Sequence, residues 1–185
     1  MTVVDPTPEA LREVYEMRVL LEPTSVQKAV PHFTDRDLVD AEELLRTMES
    51  ESDMGVWSSL NRDFHVMLVS ASRSPRLARV VFDLLGLSAL QIRRSLDAST
   101  SHRRRTTADA EHRAILDAIK SRDRREVRRQ VEQHLRASRA VYVAASWRLH
   151  GLGREGPILP RVRDGNGRFD DETTDLEVAD PPRGD

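Results

Sequence analysis

Over its first 150 residues the chain never settles into a two-residue alternation of apolar and polar side chains, and this constrains the fold more than any other feature. Apolar residues recur instead three and four positions apart, the spacing of one helix face, so strands are not expected. The punctuation agrees. Thr7 caps a first helix that begins at Pro8 and passes Leu11, Val14, Tyr15, Val19 and Leu20. Pro23 should kink or break it, because proline lacks a backbone donor and clashes with the preceding turn, and the segment can resume through Val26 and Val30. Thr34 opens a second helix with acidic residues in its first turn, where the helix dipole favours them. A third follows Gly55. Ser74-Pro75 signals a fourth, which passes Leu77, Val80, Val81, Leu84, Leu85, Leu87 and Ile92. "DASTSHRRRT" reads as a connection, "ADAEHRAILDAIKSR" as a fifth helix, and Asp123 as the cap of a sixth that ends at Leu149. The expected fold is all-α, an antiparallel helical bundle of six to seven helices spanning residues 8–150.

From residue 151 to 185 the sequence is rich in Gly, Pro and charge and shows no sustained period, so a flexible C-terminal tail is expected. A folded part of about 150 residues buries roughly two-thirds of its unfolded surface, enough for a proper core. No apolar run is long enough to span a bilayer, and "MTVVDPTPEA" lacks the features of a signal peptide, so no membrane partner and a cytoplasmic location are expected. Cysteine is absent, which excludes disulfides and thiolate metal sites. With a net charge of −2 and 4% aromatic residues, neither electrostatics nor base stacking argues for nucleic-acid binding by this chain.

The segment "LNRDFHVML" carries the chemistry. Asn61 and His65 lie one turn apart, on a face that also holds Trp57, Phe64 and Leu68, so both should look inward. Burying an unpaired polar group costs about 1–3 kcal/mol, which some partner must offset. Two more histidines repeat the pattern. His112 leads into Ile115, Leu116 and Ile119, and His134 follows Val127 and Val131, each on the core stripe of its helix. His32, His102 and His150 fall at helix ends or in connections. Two readings stay open: three separate core histidines with satisfied hydrogen bonds, or one shared site. In the second, three neutral imidazoles and the Asn61 carbonyl oxygen would give four ligands to a divalent ion such as Zn, Ni, Cu or Fe, with positions left for water or a ligand.

These residues stand in a recognisable arrangement. The segments "LREVYEMRVLLEP" (Leu11–Pro23), "LNRDFHVMLVSASRSPRL" (Leu60–Leu77), "AEHRAILDAIKSRD" (Ala110–Asp123) and "VRRQVEQHLRAS" (Val127–Ser138) together resemble the FCD domain, the effector-sensing domain of one branch of GntR-type bacterial transcription regulators. The resemblance implies a helical bundle around a central metal and ligand cavity. It implies a divalent metal, zinc or nickel foremost, on Asn61, His65, His112 and His134, and a small organic acid effector whose carboxylate reaches the metal with help from Arg18. It also implies a homodimer, and DNA binding only through a winged helix-turn-helix not contained in this chain, residues 1–7 then being a remnant of the linker. Many relatives have Asp where Asn61 stands, so this site would be more positive and demand an anion more strongly.

Other readings are weaker. A three-histidine site can activate water, which would make a metal-dependent enzyme. No carboxylate is evidently placed beside the histidines as a general base, however. Asp63 is two residues from His65, and Glu111 lies about 100° round the helix from His112. No enzyme activity is therefore expected and no residue is assigned a catalytic role. A bundle whose metal only stabilises it is the third reading. Arg18 could simply pair with Glu22 on an exposed face, and the basic runs Arg103–Arg105 and Arg122–Arg129 read as solvated surface. Gly86, inside the fourth helix, suggests a bend or a close helix contact.

Overall fold

A computed structural model describes residues 7–95 and 98–151, with the side chains of residues 90–103 outside the description. The described residues form six helices: α1 (Pro8–Ala29), α2 (Asp35–Ser50), α3 (Met54–Ser70), α4 (Pro75–Ser95), α5 (Ala98–Lys120) and α6 (Arg124–Leu149), with a 3₁₀ turn Val30–His32 after α1. No strand occurs among them, as the periodicity predicted. Of the expected linker, residues 1–7, all but Thr7, and of the expected tail, residues 151–185, all but Gly151 lie outside the described residues.

The caps set the helix starts. The Thr7 hydroxyl accepts from the Ala10 N–H at 3.2 Å. Thr34 and Asp37 form a reciprocal capping box, each side chain accepting from the other's backbone. Asp123 closes α5 and opens α6 at once. Its N–H bonds the Ala118 carbonyl, that of Arg122 bonds Ile119, and Arg122 takes the left-handed conformation (φ 57°) usual in this C-terminal motif. The Asp123 carboxylate then accepts from the Arg125 and Glu126 N–H groups. Arg122 repays its unusual backbone by donating to the carbonyls of Val30 and Phe33, which ties this turn to the end of α1.

Several sequence expectations need correction. Pro23 neither breaks nor interrupts α1; it is buried within a continuous helix, where packing on both sides outweighs one lost backbone bond. The third helix starts at Met54, before Gly55, because the Asp53 side chain caps it by accepting from the Val56 N–H at 2.8 Å. "ASTSHRRRT" is the beginning of α5, not a connection. Buried Arg104 and Ala108 continue the stripe of His112, Ile115 and Ile119 upstream, and this packing overrides weak local propensity. Leu20, Val80 and Leu87, among the apolar positions of the expected helices, are exposed.

Gly86 makes no close helix contact either. A Cβ built there meets nothing within 4 Å among the described residues. Gly86→Ala is accordingly expected to raise stability by about 0.5–1 kcal/mol, through lower unfolded-state entropy. Denaturant unfolding checks this, and a loss of stability would show that the glycine has a role the packing does not reveal.

The main core joins α1 to α6 through residues such as Val26, Leu45, Trp57, Phe64, Leu68, Leu85, Ile115 and Val131. The first and last helices run antiparallel. Gln27 reaches the Arg124 carbonyl, Arg128 reaches Thr24, and Tyr15 stacks on Tyr142 with ring centroids 6.0 Å apart. The α5–α6 hairpin sets the register that matters for the site. His112 and His134 are each eleven residues from Asp123, one on either side, so they face each other across the two helices.

Candidate metal centre

Three buried imidazoles meet in the middle of the bundle. His65 comes from α3, His112 from α5 and His134 from α6, and each offers a ring nitrogen within 4.8 Å of the others. Ring centroids are 5.4 Å apart for His65 and His112, 5.1 Å for His65 and His134, and 4.5 Å for His112 and His134. Trp57 and Phe64 pack against His112, so the cluster is walled by aromatic rings. The three rings lie together, as a shared site would require.

Two carboxylates orient the rings. Glu22 of α1 is fully buried and forms a short contact with His65 Nδ1. Its other oxygen accepts from Arg18 Nε at 3.0 Å. Burial alone would raise the Glu22 carboxyl, but Arg18 and His65 outweigh it and hold it at about 2. An ionised carboxylate only accepts, so His65 Nδ1 is the donor in this pair and Nε2 is the nitrogen turned away from Glu22. That Nε2 is buried with no hydrogen-bond partner among the described residues. The second arm repeats the first. His134 Nδ1 donates to Glu111 Oε2 at 2.7 Å, and Arg104 Nη2 donates to the same oxygen at 2.8 Å. His112 differs from both, since neither of its nitrogens has a partner among the described residues.

The sequence reading therefore located the histidines and missed the carboxylates. Glu22 does pair with Arg18 as foreseen, but the pair is buried, with side chains 0% and 2% exposed, not on an outer face. Glu111 does lie round the helix from His112; its side chain serves His134 instead. Asp63 points away as expected and bonds Arg62. Arg104, taken as part of a solvated basic run, is buried against Glu111 and Ser138. Arg18 donates to Ser88 at 3.0 Å, and its Nη2 has no partner among the described residues. Asn61 is buried one turn before His65, on the same face of α3.

The donor set fits a divalent cation. Orphaned imidazole nitrogens converge, and two of the rings are oriented by carboxylates through the opposite nitrogen, as metal-ligating histidines commonly are. Burial, followed by the nearby charges, holds His112 and His134 well below the usual histidine range. Neutral rings are the form that ligates.

This has a sign for pH. A buried histidine with a lowered pKa leaves the unfolded chain holding more protons, so its contribution is complete above about 6.5 and is lost as pH falls below it. The metal-free protein should thus lose melting temperature between pH 7 and pH 5. Glu22 adds its own loss only between 4.5 and about 2. Thermal melts across this range test the order, and a flat profile from 7 to 5 would contradict neutral burial of these rings.

An all-helical bundle with a buried imidazole triad at its centre defines the class. Residues 13–137 match the FCD domain, and the chain belongs to that family. No curated protein matches it. Among solved structures it is similar to E. coli McbR/YncC, with a TM-score of 0.65 and 23% identity over 72% of this chain and 68% of the other. It is also similar to a GntR-family transcriptional regulator from Pseudomonas syringae pv. tomato (TM-score 0.65, 22% identity, 76% of this chain and 59% of that one). Streptococcus agalactiae GntR gives a TM-score of 0.60 at 19% identity, covering 75% of this chain and 62% of the other. The chain thus spans about three-fifths to two-thirds of the length of these regulators. No described helix is long and apolar enough to cross a membrane.

Proposed function

We propose that this chain is the effector-sensing domain of a GntR-type transcriptional regulator, holding a divalent metal and a small organic acid. His65, His112 and His134 would ligate the ion, with the Asn61 side-chain oxygen as a fourth donor and Arg18 assisting the ligand. One observation carries the reading: three buried imidazoles from three helices with ring nitrogens within 4.8 Å of one another, two of them oriented by carboxylates, and with unpartnered nitrogens on His65 and His112 among the described residues. When bound, the ion supplies a concentrated positive charge that draws in a carboxylate. Glu22 and Glu111 fix the tautomers, Trp57 and Phe64 exclude water, and Arg18 has a free donor for the ligand. Zinc or nickel suits imidazole donors.

A ligand gripped by several helices at once binds one arrangement of the bundle better than another, and that difference is what a regulator transmits. The transmission would reach DNA through a winged helix-turn-helix outside this chain, in a cytoplasmic homodimer. The structural resemblance to GntR-family regulators supports this reading.

The metalloenzyme reading gains two carboxylates from the structure, but both are already engaged, Glu111 by His134 and Arg104. Glu22, held at about 2 and already engaged by Arg18 and His65, is a poor proton acceptor at neutral pH.

Metal analysis of the purified protein, followed by thermal melts with and without added zinc or nickel and then with small carboxylates, tests the proposal. The metal should raise the melting temperature and a carboxylate should raise it further. A metal effect with no carboxylate effect would leave only a stabilising ion, and no metal effect would end the sensor reading.

A further inference from the structure

The polar centre extends beyond the imidazoles to a second group of buried donors. Arg18 Nη2, Arg104 Nε and the Tyr15 hydroxyl are all buried without a hydrogen-bond partner among the described residues. They belong together in space. The Arg18 guanidinium lies 5.1 Å from the centre of the Tyr15 ring, which stacks on Tyr142. Arg104 Nη2 donates to Ser138 Oγ at 2.7 Å, and Ser138 is one turn before Tyr142 on α6. Both guanidiniums act on both phenols.

Charge points the same way. Arg18 and Arg104 are matched by Glu22 and Glu111, so these four groups sum to zero. With neutral imidazoles and the amide of Asn61 as donors, a divalent ion would then bring two positive charges with no protein carboxylate to offset them. A single carboxylate would neutralise only half.

We propose that the effector is a small dianion with two anionic ends, one meeting the metal and the other held by Arg18, Arg104 and the Tyr15 hydroxyl. This rests on the metal-and-carboxylate reading above and adds Arg104 and Tyr15 as binding residues. Burial keeps the Tyr15 phenol protonated, so it donates. Two guanidinium nitrogens and one hydroxyl, all donors, match the acceptor-only chemistry of a carboxylate or phosphonate.

The test is calorimetric titration of the zinc-loaded full chain with acetate and propionate, with succinate and glutarate, and with 3-phosphonopropionate. At least one two-ended probe should bind ten times more tightly than either monocarboxylate. The dicarboxylate and phosphonate arms tell which second end is preferred. Tyr15→Phe removes a hydroxyl that bonds nothing in the structure, so its metal-free melting temperature should equal or exceed that of the parent. Its affinity for the preferred dianion should fall three- to tenfold. Arg104→Gln should erase most of the dianion's advantage, and the phenylalanine variant decides the matter should Arg104→Gln fail to fold. If one- and two-ended acids bind alike, or Tyr15→Phe leaves dianion affinity unchanged, the two-ended ligand is overturned while the sensor reading stands. If zinc does not bind, or no carboxylate of either kind does, both fall together.

Discussion

Replacing His112 with leucine should raise the melting temperature of the metal-free protein and abolish the stabilisation that zinc gives the parent chain. The two effects have one origin. Both His112 nitrogens are buried without a partner among the described residues, and an orphaned buried polar group costs about 1–3 kcal/mol. Leucine has a similar bulk and no polar atoms, and its imperfect fit between Trp57 and Phe64 costs less than about 1.5 kcal/mol. The balance favours the variant when metal is absent. With free zinc a thousandfold above its dissociation constant, the parent gains about 4 kcal/mol that a site with only two imidazoles cannot match. A core histidine with a structural task would behave oppositely. A His112→Leu protein that melts lower without metal, yet keeps its zinc response, would remove His112 from the centre.

The second large effect is expected at Glu22. Glu22→Ala should lower the stability of the metal-free protein by about 3–5 kcal/mol, because it leaves the Arg18 guanidinium buried and uncompensated. In a domain with about 5–15 kcal/mol in total, that is a severe loss. The pair itself need not be strongly stabilising, since two buried charges give up much hydration. Arg18→Met combined with Glu22→Leu should therefore recover most of the lost stability. Denaturant unfolding of the three proteins measures the difference, and a Glu22→Ala effect below about 1 kcal/mol would mean that Arg18 finds water or another acceptor.

These residues also show what the sequence made legible. The four helix starts marked by Thr7, Thr34, Pro75 and Asp123 could be read because each cap is a local signal. The three histidines could be read because each shares a stripe with apolar neighbours. Arg18 and Glu22 were harder, since a charged pair one turn apart is also the pattern of a solvated face. A signal was present all the same: Leu11, Tyr15, Arg18, Glu22, Val26 and Ala29 form one continuous stripe, and all are buried. Arg104 continues the Ala108, His112 and Ile115 stripe in the same way. Glu111 gave no such sign. Its role depends on reaching from α5 to His134 on α6, and such reach follows only from the register of the packed helices.

The pairing of α1 with α6 has a consequence for synthesis. The N-terminal half of α1 buries Leu11 and Tyr15 against Tyr142, which lies near the far end of the last helix. A chain leaving the ribosome from its N-terminus therefore exposes this apolar surface until almost the whole domain has been translated. The Leu11 and Tyr15 end of α1 can complete its packing only after α6 has emerged, so nascent chains halted short of α6 should be especially vulnerable to aggregation and proteolysis.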